Sequence, residues 1–308
     1  MTVGWAPTVG TLRPMQSLIN TAAGPLHWRD YGGSGDTIVL IHGLGGSLAN
    51  WEATGPRLAK HAHVIALDLP GFGLSPPGPD WSLQTQVNAI RAFAAEFADS
   101  TTLLGNSLGG LVAEMIAGRY PETVDNLVLV SPATPPRLGD PRIHWPTARR
   151  LVIQATPGLG VLTSRYLLNR YTSEELVKLT LASVAYKPSR IPVDMIESFV
   201  ALAERRRKFP WAEQAVPLTA SSIGALFRRP RDFVDTIRKI KAPTLVIHGI
   251  EDQIVSPTAV EWLCSLRPDW DLIQLEDTGH TPQLDAPVRL VKTIVPWLSP
   301  RLRTKITA

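Results

Sequence analysis

Gly105-Asn106-Ser107-Leu108-Gly109 fits the pattern G-x-S-x-G and falls between an apolar run, Thr101-Thr102-Leu103-Leu104, and a helix-like stretch from Leu108 to Tyr120. A serine between a strand and a helix, flanked by glycines, sits on a sharp turn that exposes its hydroxyl, and the glycines let the two elements crowd together without Cβ clashes. Five residues match a pattern by chance often enough. The strand-turn-helix context gives this match its weight. Three further segments agree with it.

Thr37-Ile38-Val39-Leu40-Ile41 is an apolar run that ends in His42-Gly43-Leu44-Gly45-Gly46, a glycine-rich turn with free backbone N–H groups. Ala242-Pro243-Thr244-Leu245-Val246-Ile247 reads as a strand and is followed by His248-Gly249-Ile250-Glu251-Asp252. Asp271-Leu272-Ile273-Gln274-Leu275 reads as another and leads to Asp277-Thr278-Gly279-His280. The chain thus offers a nucleophile, an acid and a histidine in the order Ser107, Asp252, His280. Each lies just past the end of an expected strand, where open parallel sheets place their chemistry.

On these motifs the chain resembles the α/β-hydrolase family. That family carries His-Gly after its third strand, the nucleophile elbow after the fifth, Gly-x-x-Asp after the seventh and Gly-His after the eighth. Here they read His42-Gly43, Gly105 to Gly109, Gly249 to Asp252 and Gly279-His280, and Asp68-Leu69-Pro70-Gly71-Phe72-Gly73-Leu74-Ser75 resembles the loop after the fourth. The resemblance covers about residues 25 to 135 and 240 to 300. It implies an α/β fold with a mostly parallel eight-stranded sheet flanked by helices and an inserted α-helical lid. The expected organisation is an N-terminal arm over residues 1–24, a core from 25–133 and 239–308, and a helical lid over 134–238.

Composition supports the insertion. Leu127-Val128-Leu129-Val130 reads as the sixth strand, and Pro132, Pro135 and Pro136 then break regular structure. Beyond them the pattern turns helical. Thr172-Ser173-Glu174-Glu175 offers a capping box before Leu176, and Met195, Ile196, Phe199, Val200, Leu202 and Ala203 recur at helical spacing. That stripe either lines an acyl pocket or packs the lid on the core.

The chemistry expected is acyl transfer on an ester or thioester. A neutral imidazole from His280 takes the Ser107 proton during attack and returns it to the leaving group, while Asp252 holds the far ring nitrogen. The backbone N–H groups of Leu108 and Leu44 are expected to meet the oxyanion. Glu251 competes with Asp252 for the acid's place; the family's spacing favours Asp252. Serine at 107 disfavours the aspartate-nucleophile relatives, the haloalkane dehalogenases and epoxide hydrolases.

Gly-Asn-Ser-Leu-Gly-Gly also resembles the elbow of carbon–carbon bond hydrolases acting on meta-cleavage products. There the asparagine faces substrate, making Asn106 a possible substrate contact, and a lid arginine, for which Arg190 is a candidate, holds a carboxylate. The chain departs from those enzymes in its less glycine-rich oxyanion turn and in Thr281-Pro282, where they carry tryptophan. A third reading is a hydrolase-fold protein that binds a small molecule and turns it over slowly.

No cofactor is expected. His42 and His248 read as structural turn residues. His61 and His63 read as sharing a strand face, but with no third ligand nearby no metal is expected. The lone Cys264 excludes an internal disulfide and reads as a buried small side chain in a helix. With 44% hydrophobic and 19% charged residues, the 308-residue chain has enough apolar surface for a large core. No long apolar stretch or basic leader is present, so a cytoplasmic protein is expected.

Charge is uneven. Ala133 to Lys241 carries 19 Lys+Arg against 9 Asp+Glu, a surplus of ten; with +4 overall, the remainder carries −6. The densest clusters are Arg205-Arg206-Arg207-Lys208 and Arg228-Arg229-Pro230-Arg231. Such runs usually form solvated helix faces. The alternative is an anionic partner, including weak association with anionic lipid through the basic lid. A small-molecule acyl substrate is the expected partner, and no nucleic-acid module is present.

Overall fold

Along β3 (Thr37–Ile41), β4 (His63–Leu67) and β5 (Thr101–Asn106) the buried residues alternate between two separate cores, as the period of two of a strand requires. Val39, Ile41, Ile65, Leu67 and Leu103 face one layer of helices; Ile38, Leu40, Val64, Ala66 and Leu104 face the other. A sheet covered on both sides reads as continuous apolar runs, which is why these strands show no polar alternation in sequence.

The computed structural model of the chain describes residues 16–137 and 139–302. The remaining strands are β1 (Gln16–Thr21), β2 (Gly24–Gly32), β6 (Val124–Val130), β7 (Thr244–Gly249) and β8 (Asp271–Leu275), and the sheet order is β1-β2-β4-β3-β5-β6-β7-β8. β1–β2 and β2–β4 pair antiparallel and every other pairing is parallel. The ends of β3, β5, β7 and β8 therefore open on one edge, and the loops after them converge there.

The helices are α1 (Gly55–Leu58), α2 (Leu83–Ala95), α3 (Leu108–Arg119), α4 (Trp145–Ala155), α5 (Leu159–Arg170), α6 (Ser173–Val184), α7 (Val193–Arg207), α8 (Ala215–Phe227), α9 (Pro230–Lys239), α10 (Pro257–Ser265), α11 (Pro282–Asp285) and α12 (Pro287–Leu298). Six of them, α4 to α9, lie between β6 and β7. The Thr172–Glu175 capping box forms at the start of α6.

Three expectations need correction. Gln16–Thr21 is not a loose arm but strand β1, hydrogen-bonded to β2; residues 1–15 and 303–308 lie outside the described residues. Helix α9, placed by composition with the insertion, packs on α3, because Phe233 and Ile237 stand one turn apart and both enter the main core. His61 precedes the strand that His63 begins, so the two do not share a strand face.

Candidate active site

Ser107 has φ 54° and ψ −116°, a conformation that costs a non-glycine residue on the order of 1–3 kcal/mol and persists only when its surroundings over-determine it. Here they do. A Cβ on Gly105 would lie 2.4 Å from the carbonyl group of Gly109, and one on Gly109 would lie 2.4 Å from the Ile41 carbonyl oxygen. Only glycines let β5, α3 and the end of β3 meet this closely. The Ser107 N–H donates to Val130 O at 3.1 Å, and its carbonyl accepts from Leu111 N and Ala133 N, each at 3.0 Å. The side chain is half-buried and, among the described residues, its hydroxyl makes no hydrogen bond.

The turn after β3 crosses directly over this elbow. A Cβ on Gly43 would stand 3.1 Å from Ser107 Cβ. Leu44 N–H follows in that turn and Leu108 N–H is the first of α3, where a helix has no internal acceptor. Neither N–H donates to another group among the described residues. His42 shapes the turn from beneath: one ring nitrogen contacts Gly43 O at 2.7 Å and the other accepts from Leu69 N at 3.0 Å. Burial holds its pKa below the ordinary imidazole value. It is a structural residue.

His280 and Asp252 meet. His280 Nδ1–H donates to Asp252 Oδ2 at 2.8 Å, with both side chains buried. Asp252 Oδ1 accepts from Ile254 N at 2.7 Å and Val255 N at 3.0 Å. Burial would raise the Asp252 carboxyl, but the His280 imidazole, the hydrogen bonds and nearby His248 hold it below the usual carboxylate range. Glu251 goes elsewhere: its carboxylate accepts from Thr278 N at 2.9 Å. His248 donates from Nε2 to Val255 O at 3.1 Å, so it fixes the loop that carries Asp252. With Nδ1 as donor, the other ring nitrogen, Nε2, is the acceptor in the neutral ring.

Asn106 does not present itself as a substrate contact. Its amide nitrogen donates to Val130 O at 3.0 Å and to His280 O at 3.1 Å, and its oxygen accepts from Gln283 Nε2 at 3.0 Å. Both amide hydrogens are used, and the side chain is 3% exposed. It ties the elbow to the backbone of His280. Gln283 was not singled out from sequence, and neither was Asp285, whose carboxylate accepts from Gly279 N, Tyr186 N and Lys187 N. No local pattern marks them; their partners lie up to 177 residues away.

The inserted helices reach this loop through α6. His280 N–H donates to Val184 O at 2.8 Å, at the end of that helix. Arg190 is bound to Asp277, donating to its carbonyl at 2.8 Å and to its carboxylate at 2.6 Å, and Lys187 joins the same carboxylate at 2.7 Å. These two partners hold the Asp277 carboxyl down to about 2. Arg190 is thus committed to a surface ion pair. Met195, Phe199 and Leu202 of α7 line a cleft of about 340 Å³ with Leu48 and Leu74, while Met195, Ile196 and Phe199 also pack on Leu181, Ile191 and Leu284. The stripe therefore packs the insertion on Leu284 and also lines a cleft, but Ser107, Asp252 and His280 are not in the lining of that cleft, so it is not the acyl pocket expected of it. Among the described residues no three His, Cys, Asp or Glu side chains come together as a metal-ion set.

Residues 36–287 match the family described as alpha/beta hydrolase fold. Lipase 3 of Moraxella sp. (strain TA144) is 28% identical over 82% of this chain and 74% of its own. 2-hydroxymuconate semialdehyde hydrolase of Pseudomonas sp. (strain CF600) is 30% identical over 87% of this chain and 88% of its own. The crystal structure of a putative lipase from Acinetobacter baumannii AYE superposes with a TM-score of 0.70 at 25% identity, covering 92% of this chain and 91% of that one.

Proposed function

Because this chain belongs to the α/β-hydrolase family, we propose that it hydrolyses carboxylic esters or thioesters through an acyl-enzyme on Ser107, with His280 as base and Asp252 as the acid that orients it. The observation that carries the reading is the buried 2.8 Å Asp252–His280 pair, tied through Asn106 to the elbow that holds Ser107 at φ 54°. His280 Nε2 takes the hydroxyl proton as Ser107 Oγ attacks the carbonyl carbon. The resulting oxyanion faces the N–H groups of Leu44 and Leu108, and loss of one such donor typically costs about 3 kcal/mol of transition-state stabilisation. Collapse returns the proton from His280 to the departing alcohol or thiol. Water, deprotonated by the same nitrogen, then releases the acid and restores Ser107.

Helices α4 to α8 act in this reading as a lid, joined to the His280 loop through Val184 and Asp285. Carbon–carbon bond hydrolysis is the second reading, favoured by the likeness to the 2-hydroxymuconate semialdehyde hydrolase. The commitments of Asn106 and Arg190 described above weigh against it, since both groups that would hold such a substrate are engaged.

Two assays test the reading. A fluorophosphonate probe should label the native chain, and Ser107→Ala should abolish the labelling while leaving thermal unfolding unchanged; label at another serine would move the site. At equal enzyme, kcat/KM for a short p-nitrophenyl ester should exceed that for a meta-cleavage dienoate by at least about tenfold. The reverse order would establish the second reading.

A further inference from the structure

Between Asp140 and Glu174 the chain carries five arginines and no acidic residue. This segment forms α4 and α5, and both helices pack on α8. The contact is close: a Cβ on Gly160 of α5 would stand 2.8 Å from Pro217 of α8 and 2.2 Å from the carbonyl oxygen of Gln154 in α4. Ala155, at the other helix's end, lies against Gly224. Two helices resting on a third turn their opposite faces outward together.

Those outward faces are apolar and basic. Trp145 and Val152 on α4, with Leu159, Leu162 and Tyr166 on α5, are between 48% and 71% exposed. On α4, Trp145, Arg149 and Val152 recur at i, i+4 and i+7; on α5, Leu159, Leu162 and Tyr166 recur at i, i+3 and i+7, so each set forms one stripe. Arg149, Arg150 and Arg170 are exposed around them, and Arg165 is bridged to Glu213. A soluble surface normally scatters its large apolar side chains singly rather than in paired stripes. Tryptophan, tyrosine and leucine rimmed by arginine is the composition of a helix lying in a lipid headgroup layer, where arginine stems follow the apolar surface and their heads reach phosphate.

We propose that the α4–α5 face docks the protein on an anionic lipid bilayer. The density of basic clusters in sequence pointed instead to Arg205–Lys208, but the Arg206 guanidinium donates to Gly71 O and Gly73 O, and Arg207 to Leu168 O and Tyr171 O. Two of those four cations are spent inside the molecule. A second copy of the chain fits the α4–α5 face poorly, since a two-fold contact would bring Arg149 and Arg150 toward their own counterparts with no carboxylate in either helix to neutralise them. The docking does not depend on which bond Ser107 cleaves.

The full chain is tested by co-sedimentation with phosphatidylcholine vesicles, with and without phosphatidylglycerol. Binding to the mixed vesicles should exceed binding to neutral ones by about tenfold and should fall steeply toward 1 M salt, where the Debye length is about 3 Å. Arg149→Glu with Arg150→Glu, and separately Trp145→Ser with Leu162→Ser, should each weaken binding about tenfold or more. All four side chains are exposed, so thermal unfolding and hydrolysis of a short soluble ester should be unchanged. Arg205→Glu changes the net charge without touching this face and should leave binding intact. The proposal is overturned if the native chain ignores anionic vesicles, if Arg205→Glu weakens binding as much as the α4 pair, or if Trp145→Ser with Leu162→Ser only splits a solution dimer.

Discussion

Asp252 Oδ2 takes the Nδ1–H of His280 at 2.8 Å while Glu251, one residue earlier, caps Thr278 N. Residue type does not separate these carboxylates; loop geometry does. Asp252→Asn should therefore lower kcat/KM for an ester by about four orders of magnitude, because it favours the wrong imidazole tautomer, and Glu251→Gln should stay within about tenfold of the native chain. Steady-state kinetics of the two variants checks this, and equal losses would unseat Asp252. Asn106 predicts a different signature. Since it holds His280 by its backbone, Asn106→Ala should lower kcat by about 10- to 100-fold with KM nearly unchanged. A rise in KM at constant kcat would make it a substrate contact after all.

Glu114 on α3 is a residue-scale liability. It is fully buried, neither carboxylate oxygen has a hydrogen-bond partner among the described residues, and burial raises its pKa well above the ordinary value. The folded chain keeps a proton there that the unfolded chain releases near pH 4.5, so the group's stability is intact at acid pH and is lost as pH rises. Each unit costs about 1.4 kcal/mol until the folded group itself ionises. Thermal melts from about pH 5 to 8 should show Glu114→Gln gaining on the native chain steadily; parallel curves would contradict this.

At the scale of elements, α7 shows what a basic cluster does once it has a tertiary partner. Arg206 lies over the Phe72 ring at 5.7 Å and donates to the carbonyls on either side of it, at 3.2 Å from Gly71 and 3.1 Å from Gly73. The loop that receives it is itself built on Asp68, which accepts from Leu48 N, Leu74 N and His27 Nδ1. Charged donors to carbonyls contribute about 1.5–3 kcal/mol each way of counting, so Arg206→Met should cost about that much stability in denaturant melts. Exposed Arg205→Ala should change it by less than about 0.5 kcal/mol. Equal effects would return the whole cluster to solvent.

Across the whole molecule, the helices between β6 and β7 are tied down at separated points. Arg206 grips the loop after β4, and Asp285 and Val184 join α6 to the loop after β8. Calorimetry should therefore record one cooperative transition rather than an early melting of α4 to α8, with calorimetric and van't Hoff enthalpies equal. Two resolved transitions would mean that these ties are weaker than the packing within each part.

The strand-turn-helix at Ser107, the runs at Thr37–Ile41 and Asp271–Leu275, and the capping box at Thr172 were all legible in sequence, because each rests on short-range physics: glycine's freedom, short apolar runs bounded by turn residues and a side chain reaching three residues on. Those motifs, in order, carried the resemblance to the α/β-hydrolase family. Tertiary structure decided what each polar group touches. It gave His280 to Asp252 rather than Glu251, turned Asn106 onto His280's backbone, and took Arg190 and Arg206 out of play. It also paired Gln16–Thr21 with β2 at the edge of the sheet, drew α9 onto the core and left Trp145 and Leu162 bare. Such pairings join residues scores of positions apart, and a hydrogen bond is set by where two backbones arrive rather than by the identity of either residue.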